Sequence, residues 1–141
     1  ADKIERAVQL GAQGGFDYTE DDWWKRMAKE VGAPDLIVDS AGGPGYRSLL
    51  NLAAPGGRIV NYGATVGMPE KVDLFKVFWK QLHLVGSTMA SPTDFAAMLD
   101  LVNEHQIRPV VDSVRPLEEG NEAVSQMAAS PQFGKYVLTI G

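Results

Sequence analysis

Hydrophobic positions along the chain fall into short blocks whose period changes repeatedly, and each change marks an element. In Ala1–Ala12, Ile4, Ala7, Val8 and Gly11 share one helical face, with Lys3, Glu5, Arg6 and Gln9 opposite. Gly14-Gly15 closes that block, and Phe16-Asp17-Tyr18 reads as a short strand. Thr19 with Asp22 three residues on has the spacing of a capping box. Trp23, Met27, Ala28 and Val31 then repeat at helical spacing until Gly32-Ala33-Pro34 stops them. Asp35–Ser40 is a continuous apolar run between carboxylates, the pattern of a strand covered on both faces. A turn, Ala41–Gly45, leads into a helix with Tyr46, Leu49, Leu50 and Ala53 in register.

Pro55-Gly56-Gly57 turns the chain into a strand, Arg58–Tyr62, that ends in Gly63-Ala64-Thr65. After a polar loop, Val66–Lys71, comes a short apolar helix, Val72–Gln81, and another apolar block, Leu82–Ser87, that reads as a buried strand. Ser91 as N-cap, Pro92 at the first helical position and Asp94 form the clearest helix start, followed by a stripe of Phe95, Met98, Leu99 and Val102. A strand at Val110–Val114, a helix at Pro116–Ala129 and a strand at Tyr136–Ile140 complete the pattern. Alternation of strand and helix through Ser87 predicts βαβ units and a parallel sheet, with right-handed crossovers placing helices on both faces. The expected class is α/β. The two late strands have no assigned partner and could pair outside that sheet.

Composition narrows the functional classes. A chain of 141 residues with 45% hydrophobic and 22% charged residues suits one packed domain. Its net charge of −5 argues against nucleic acid or an anionic membrane as partner. No apolar run approaches the roughly 20 residues of a membrane span. The sequence has no cysteine, hence no disulfide, thiolate metal site or cysteine nucleophile, and fits a cytoplasmic location.

The candidate chemistry sits where strands end. Asp35–Ser40, Arg58–Tyr62 and Leu82–Ser87 all run into Gly, Ala or Ser, and their turns would lie side by side at one sheet edge. Ligands of open α/β sheets bind beyond that edge, and small residues let a flat polar ligand approach the backbone. The alternative is that the glycines simply make turns. Ala41–Gly45 superficially resembles a phosphate loop, but its spacing and Pro44 are wrong for G-x-G-x-x-G, so it reads as a turn. Asp39 is either a working carboxylate or a hydrogen-bond acceptor for a neighbouring turn. Phe78 and Trp79 form either a ligand-facing wall or core. His83 and His105 carry no assigned role.

Six stretches, Asp2–Tyr18, Asp35–Gly43, Pro55–Thr65, Phe78–Ser91, Ile107–Glu119 and Phe133–Gly141, together resemble the carboxyl-terminal portion of the medium-chain dehydrogenase/reductase superfamily. This is the superfamily of zinc-type alcohol dehydrogenases and quinone oxidoreductases. The resemblance is collinear. It implies a partial doubly wound parallel sheet, the later part of a Rossmann cofactor-binding domain (1–106), and a strand–helix–strand segment (107–141) that returns to a catalytic domain. The glycine motif, the first two strands and the catalytic domain would precede Ala1, so the chain is expected to be a fragment that alone is inactive and holds NADPH weakly.

The implied whole protein transfers hydride between a nicotinamide cofactor, NADP with NAD possible, and an alcohol, carbonyl, quinone or enone. It would form a homo-oligomer, and any zinc ligands would lie outside this chain. By the same resemblance Lys3 and Tyr18 flank an adenosine 2′-phosphate or ribose. Ser40, Ala41 and Gly42 face the ribose. Tyr62, Gly63, Ala64 and Thr65 form the nicotinamide-side turn, and Ser87, Thr88 and Met89 contact the carboxamide. Lys3 also reads as a solvated helix charge, and Tyr18 as a strand-end packing residue. The rival class is a non-catalytic assembly module that self-associates through an exposed edge at Leu82–Ser87.

Overall fold

The computed structural model describes residues 2–129 and 132–141. The chain forms two compact units, Ala1–Met89 and Ala90–Gly141.

In the first unit, α1 (Asp2–Gln9) and α2 (Trp23–Glu30) precede a β–α–β–α–β run. The run comprises β1 (Leu36–Asp39), α3 (Tyr46–Leu52), β2 (Arg58–Asn61), α4 (Leu74–Trp79) and β3 (His83–Gly86). The strands form a three-stranded parallel sheet in chain order, with Ile37, Ile59 and Leu84 in one register row and Val38, Val60 and Val85 in the next. The α/β class with parallel strands is therefore as expected. Tyr46, Leu50, Ala53, Ile59 and Leu82 make the core, with Ile37, Leu49 and Val77 packed against it. The helix stripe read from the sequence, Tyr46–Leu49–Leu50–Ala53, is the one that α3 presents to that core.

Four expectations need correction. Phe16–Tyr18 is not a strand: no neighbouring strand pairs with it among the described residues, and an isolated strand has no ladder to satisfy its backbone. Thr19 does not cap α2. Its N–H and hydroxyl both donate to Asp17 Oδ1, at 3.0 and 2.6 Å, and the N-cap is Asp22 in the left-handed region, φ 58°. The strands are not covered on both faces. Leu36 and Val38 of β1 are exposed, as is every residue of β3. The α4 aromatics are not core: Phe78 and Trp79 are exposed, flanking Phe75 edge-to-face at 5.1 Å and stacked at 5.6 Å, while Val77 reaches the core.

The end of α3 is held from outside. Lys80 Nζ donates to the carbonyls of Leu50, Asn51 and Ala53 at 3.2, 2.6 and 2.8 Å. These are carbonyls that a helix C-terminus leaves without intrahelical donors. Lys76 Nζ donates to Asn51 Oδ1 beside them and lies 3.7 Å from Asp73. Burial, and then the neighbouring Lys76 charge, lower the Lys80 ammonium from its ordinary value.

The second unit holds α5 (Pro92–Glu104), β4 (Val111–Pro116), a 3-10 turn (Leu117–Glu119), α6 (Gly120–Met127) and β5 (Lys135–Thr139). The α5 start is the expected capping box: Ser91 Oγ accepts the Asp94 N–H at 3.2 Å and Asp94 Oδ2 accepts the Ser91 N–H at 2.9 Å. Of its apolar stripe, however, Phe95, Met98 and Leu99 are exposed and Val102 only half-buried, and no α5 residue is buried. β4 and β5 pair with each other in parallel as a separate two-stranded sheet. The expected helix at Pro116 begins later, because Pro116 still belongs to β4.

Lys80→Met keeps the aliphatic stem but removes the donor to α3. A cost of about 1.5–3 kcal/mol in chemical denaturation is expected, the range for hydrogen bonds to charged groups.

Candidate functional site

The carboxyl ends of β1 and β2 are joined by a polar network. Asp39 closes β1 and is 8% exposed, so its charge must be satisfied internally. Its Oδ1 accepts the Ala41 N–H at 3.1 Å, and its Oδ2 accepts the Gly42 N–H at 3.1 Å and Asn61 Nδ2 at 2.8 Å. Asn61 stands directly opposite Asp39 in the ladder, and its Oδ1 accepts the Tyr46 hydroxyl at 3.0 Å. One chain of hydrogen bonds thus links the start of α3, both strands and the turn after β1. Burial, and then the Asp39 charge, raise the Tyr46 hydroxyl above its ordinary value.

The turn after β1 is in turn sewn to the loop after β2. Tyr62 N–H donates to Asp39 O at 3.1 Å, Thr65 N–H to Ser40 O at 3.1 Å, Val66 N–H to Ala41 O at 2.9 Å, and Gly43 N–H to Gly67 O at 2.7 Å. Thr65 Oγ1 adds a 3.3 Å bond to Ser40 O. Gly42 makes this approach possible. Its φ is +65°, and a Cβ there would lie 2.6 Å from Gly67 O. Turn-to-turn packing alone accounts for this glycine.

One concavity borders this zipper and a second lies at α1 and residues 16–19. The first, about 220 Å³, is lined by Tyr18, Trp23, Asp39, Ala41, Gly42, Gly45, Leu49 and Val66. The other, about 420 Å³, is lined by Asp2, Lys3, Ile4, Phe16, Asp17, Tyr18 and Thr19. Lys3 and Tyr18 therefore share one cavity, while Tyr18, Ala41 and Gly42 share the other. Thr19 hydrogen bonds, side chain first and backbone second, hold the Asp17 carboxyl below the usual carboxylate range, so a negative charge lines the same cavity as Lys3.

Ser40, Gly63, Ala64 and Thr65 lie in or against the zipper. The Tyr62 side chain is exposed. Ser87 N–H donates to Asn61 O at 2.9 Å, and Thr88 and Met89 are exposed beyond β3 and line neither cavity. Sequence reasoning missed Asn61 and Trp23. A lone amide ending an apolar strand opposite Asp39 was the available signal for the first. Trp23 gave only a helix-core signal.

Among the described residues no group of three or more His, Cys, Asp or Glu could hold a metal ion. The side chains of the described residues do not fit a zinc site.

Residues 10–138 match the family described as zinc-binding dehydrogenase. The chain belongs to that family. The chain is 32% identical to the zinc-type alcohol dehydrogenase-like protein YogA of Leptosphaeria maculans, covering 99% of the chain and 41% of YogA. It is 28% identical to NADP-dependent alcohol dehydrogenase C 1 of Mycolicibacterium smegmatis, over 96% of the chain and 38% of that protein. The crystal structure of an NAD-dependent alcohol dehydrogenase superposes with a TM-score of 0.88 at 37% identity, covering 99% of the chain and 41% of that structure. The chain thus spans about two-fifths of the length of these relatives.

Two outcomes follow for the site. Gly42→Ala forces a Cβ onto the Gly67 carbonyl at positive φ. It should destabilise the protein by at least about 1–3 kcal/mol, the cost of such backbone strain, measured by thermal or urea unfolding. The raised Tyr46 group favours the folded state fully below the unfolded tyrosine value near pH 10, and that contribution fades as pH rises toward the folded value. The stability difference between wild type and Tyr46→Phe should therefore be flat to about pH 9.5 and shrink above it, as read by urea titration.

Proposed function

We propose that this chain is the carboxyl-terminal, nicotinamide-side part of an NAD(P)-dependent oxidoreductase of the alcohol dehydrogenase or quinone oxidoreductase type. The intact protein acts on an alcohol, carbonyl, quinone or enone. The bound nicotinamide supplies or accepts the hydride. This chain's residues orient the dinucleotide: Ser40, Ala41 and Gly42 against its ribose, Tyr62, Gly63, Ala64 and Thr65 toward the nicotinamide, and Ser87, Thr88 and Met89 toward the carboxamide. The observation that carries this reading is the pair of adjoining small-residue turns beyond parallel strands β1 and β2, in a chain of this family. Ligands of open α/β sheets bind at that place.

NADP is supported by the shared cavity of Lys3 and Tyr18, a cation and a phenol of the kind that can read a 2′-phosphate. The Asp17 carboxylate on the same rim favours NAD as the second reading, because it repels a phosphate. The other class of function, self-association, draws on a specific feature: β3 is a sheet edge with all of its residues exposed, next to the exposed α4 aromatics. A homo-oligomer paired along β3 is compatible with catalysis. No helix among the described residues is long and apolar enough to cross a membrane, and a cytoplasmic location is part of the proposal.

The test is calorimetry with NADPH and NADH on the intact protein, followed by turnover assays with alcohols, aldehydes and quinones. Micromolar binding of one cofactor and cofactor-dependent turnover are expected. Lys3→Ala should weaken NADPH about tenfold, 1.4 kcal/mol, and leave NADH unchanged. Binding of neither cofactor would end the oxidoreductase reading. Equal loss for both cofactors would remove Lys3 from 2′-phosphate recognition.

A further inference from the structure

We propose that Asp39 is a positioning residue of the cofactor crevice: it fills the amide nest of the turn after β1 with an internal carboxylate and so fixes what that turn can offer a dinucleotide. The inference rests on the oxidoreductase reading above and extends it to a side chain with no assigned role.

Consecutive backbone N–H groups in a tight turn make a concavity that attracts anions. Here Ala41 and Gly42 point theirs at Asp39 Oδ1 and Oδ2, both at 3.1 Å, and the next N–H, of Gly43, is taken by Gly67 O at 2.7 Å. The nest is occupied by the chain's own anion. The carbonyls are engaged too, since Ser40 O and Ala41 O accept from Thr65 and Val66. Besides Asp39 itself, the 220 Å³ cavity is lined by Ala41, Gly42, Gly45, Leu49 and Val66 and by the aromatic residues Tyr18 and Trp23, a mostly carbon surface. Such a wall accepts an uncharged flat portion of a dinucleotide, and the Asp39 charge disfavours its phosphates at this spot. The phosphates are thereby directed elsewhere, and the molecule is given a direction along the crevice.

Asn61 and Tyr46 keep the carboxylate from turning. Asn61 spends its donor on Asp39 Oδ2 and its acceptor on the Tyr46 hydroxyl, so the carboxylate plane is held by the neighbouring strand and by the buried end of α3. Asp39 is therefore ordered by the core and orders the turn.

The exchange of the two side chains separates positioning from mere support. In Asp39→Asn, one oxygen still serves Ala41, but the new amide nitrogen cannot accept from Gly42 or Asn61. In Asp39→Asn with Asn61→Asp, the bond between the strands is rebuilt in the reverse sense and Tyr46 keeps an acceptor, while the Gly42 N–H still lacks one. Both variants are made in the intact protein, and each is measured by thermal unfolding and by calorimetry with NADPH and NADH.

The expected result is a lowered melting temperature for Asp39→Asn that largely returns in the exchanged pair, while both bind the preferred cofactor about tenfold more weakly than wild type. If Asp39→Asn does not fold, the exchanged pair alone decides. Recovery of affinity together with stability, or wild-type affinity in both variants, would overturn the proposal and leave the oxidoreductase reading standing. Failure of the wild type to bind either cofactor would remove that reading and this proposal with it.

Discussion

Burying a carboxylate at the end of a strand sets the geometry of everything around it. Asp39 sits where β1 leaves the sheet, nearly out of solvent, and an ion there is tolerable only if several donors converge on it. Three do: two turn amides and Asn61. To bring them in, the chain must bend sharply after Ser40, place a polar side chain in register on β2, and set the first residue of α3 against that side chain. The glycine at position 42 and the zipper to Gly67 lie in the same bend. A hydrophobic residue at 39 would remove the need for all three donors at once.

The buried core is small beside the surfaces left open. Leu50 and Ile59 are fully enclosed, yet the Leu36 and Val38 row of β1, all of β3, the α4 aromatics and most of the α5 stripe face outward. Parallel sheets are ordinarily covered on both faces because their crossover helices lie there. In this chain α3 and α4 supply contacts to the Ile37–Ile59 row, and the opposite row carries side chains of the kind that a second layer would cover. That arrangement accords with a chain matching about two-fifths of longer relatives.

What could be read in advance was whatever depends on neighbours in sequence. The α/β alternation, the α3 stripe and the Ser91–Asp94 capping box need only local periodicity or spacing, and all are present. Burial of β1 and β3 could not be read the same way, because an apolar run states what a strand would accept and not what covers it. Phe16–Tyr18 has strand-forming residues but needs a partner strand. Thr19 matched a cap pattern, and Asp17, two residues back, captured its hydroxyl. For the site, the small-residue turns were visible as composition. Their mutual zipper and the Asp39–Asn61 bond arise only from strand register, which aligns residues far apart in sequence.

The Lys80 contacts have a consequence for how the unit comes apart. A single ammonium satisfies three carbonyls on a helix some 30 residues earlier, and its own carbonyl accepts the Gly56 N–H in the turn leading into β2. Peeling α4 away would strand all three carbonyls at the end of α3 and loosen that turn in the same event. The two helices and the turn between them therefore open as one cooperative element, so the fraying that usually begins at a short helix such as α4 is suppressed by the helix it clasps.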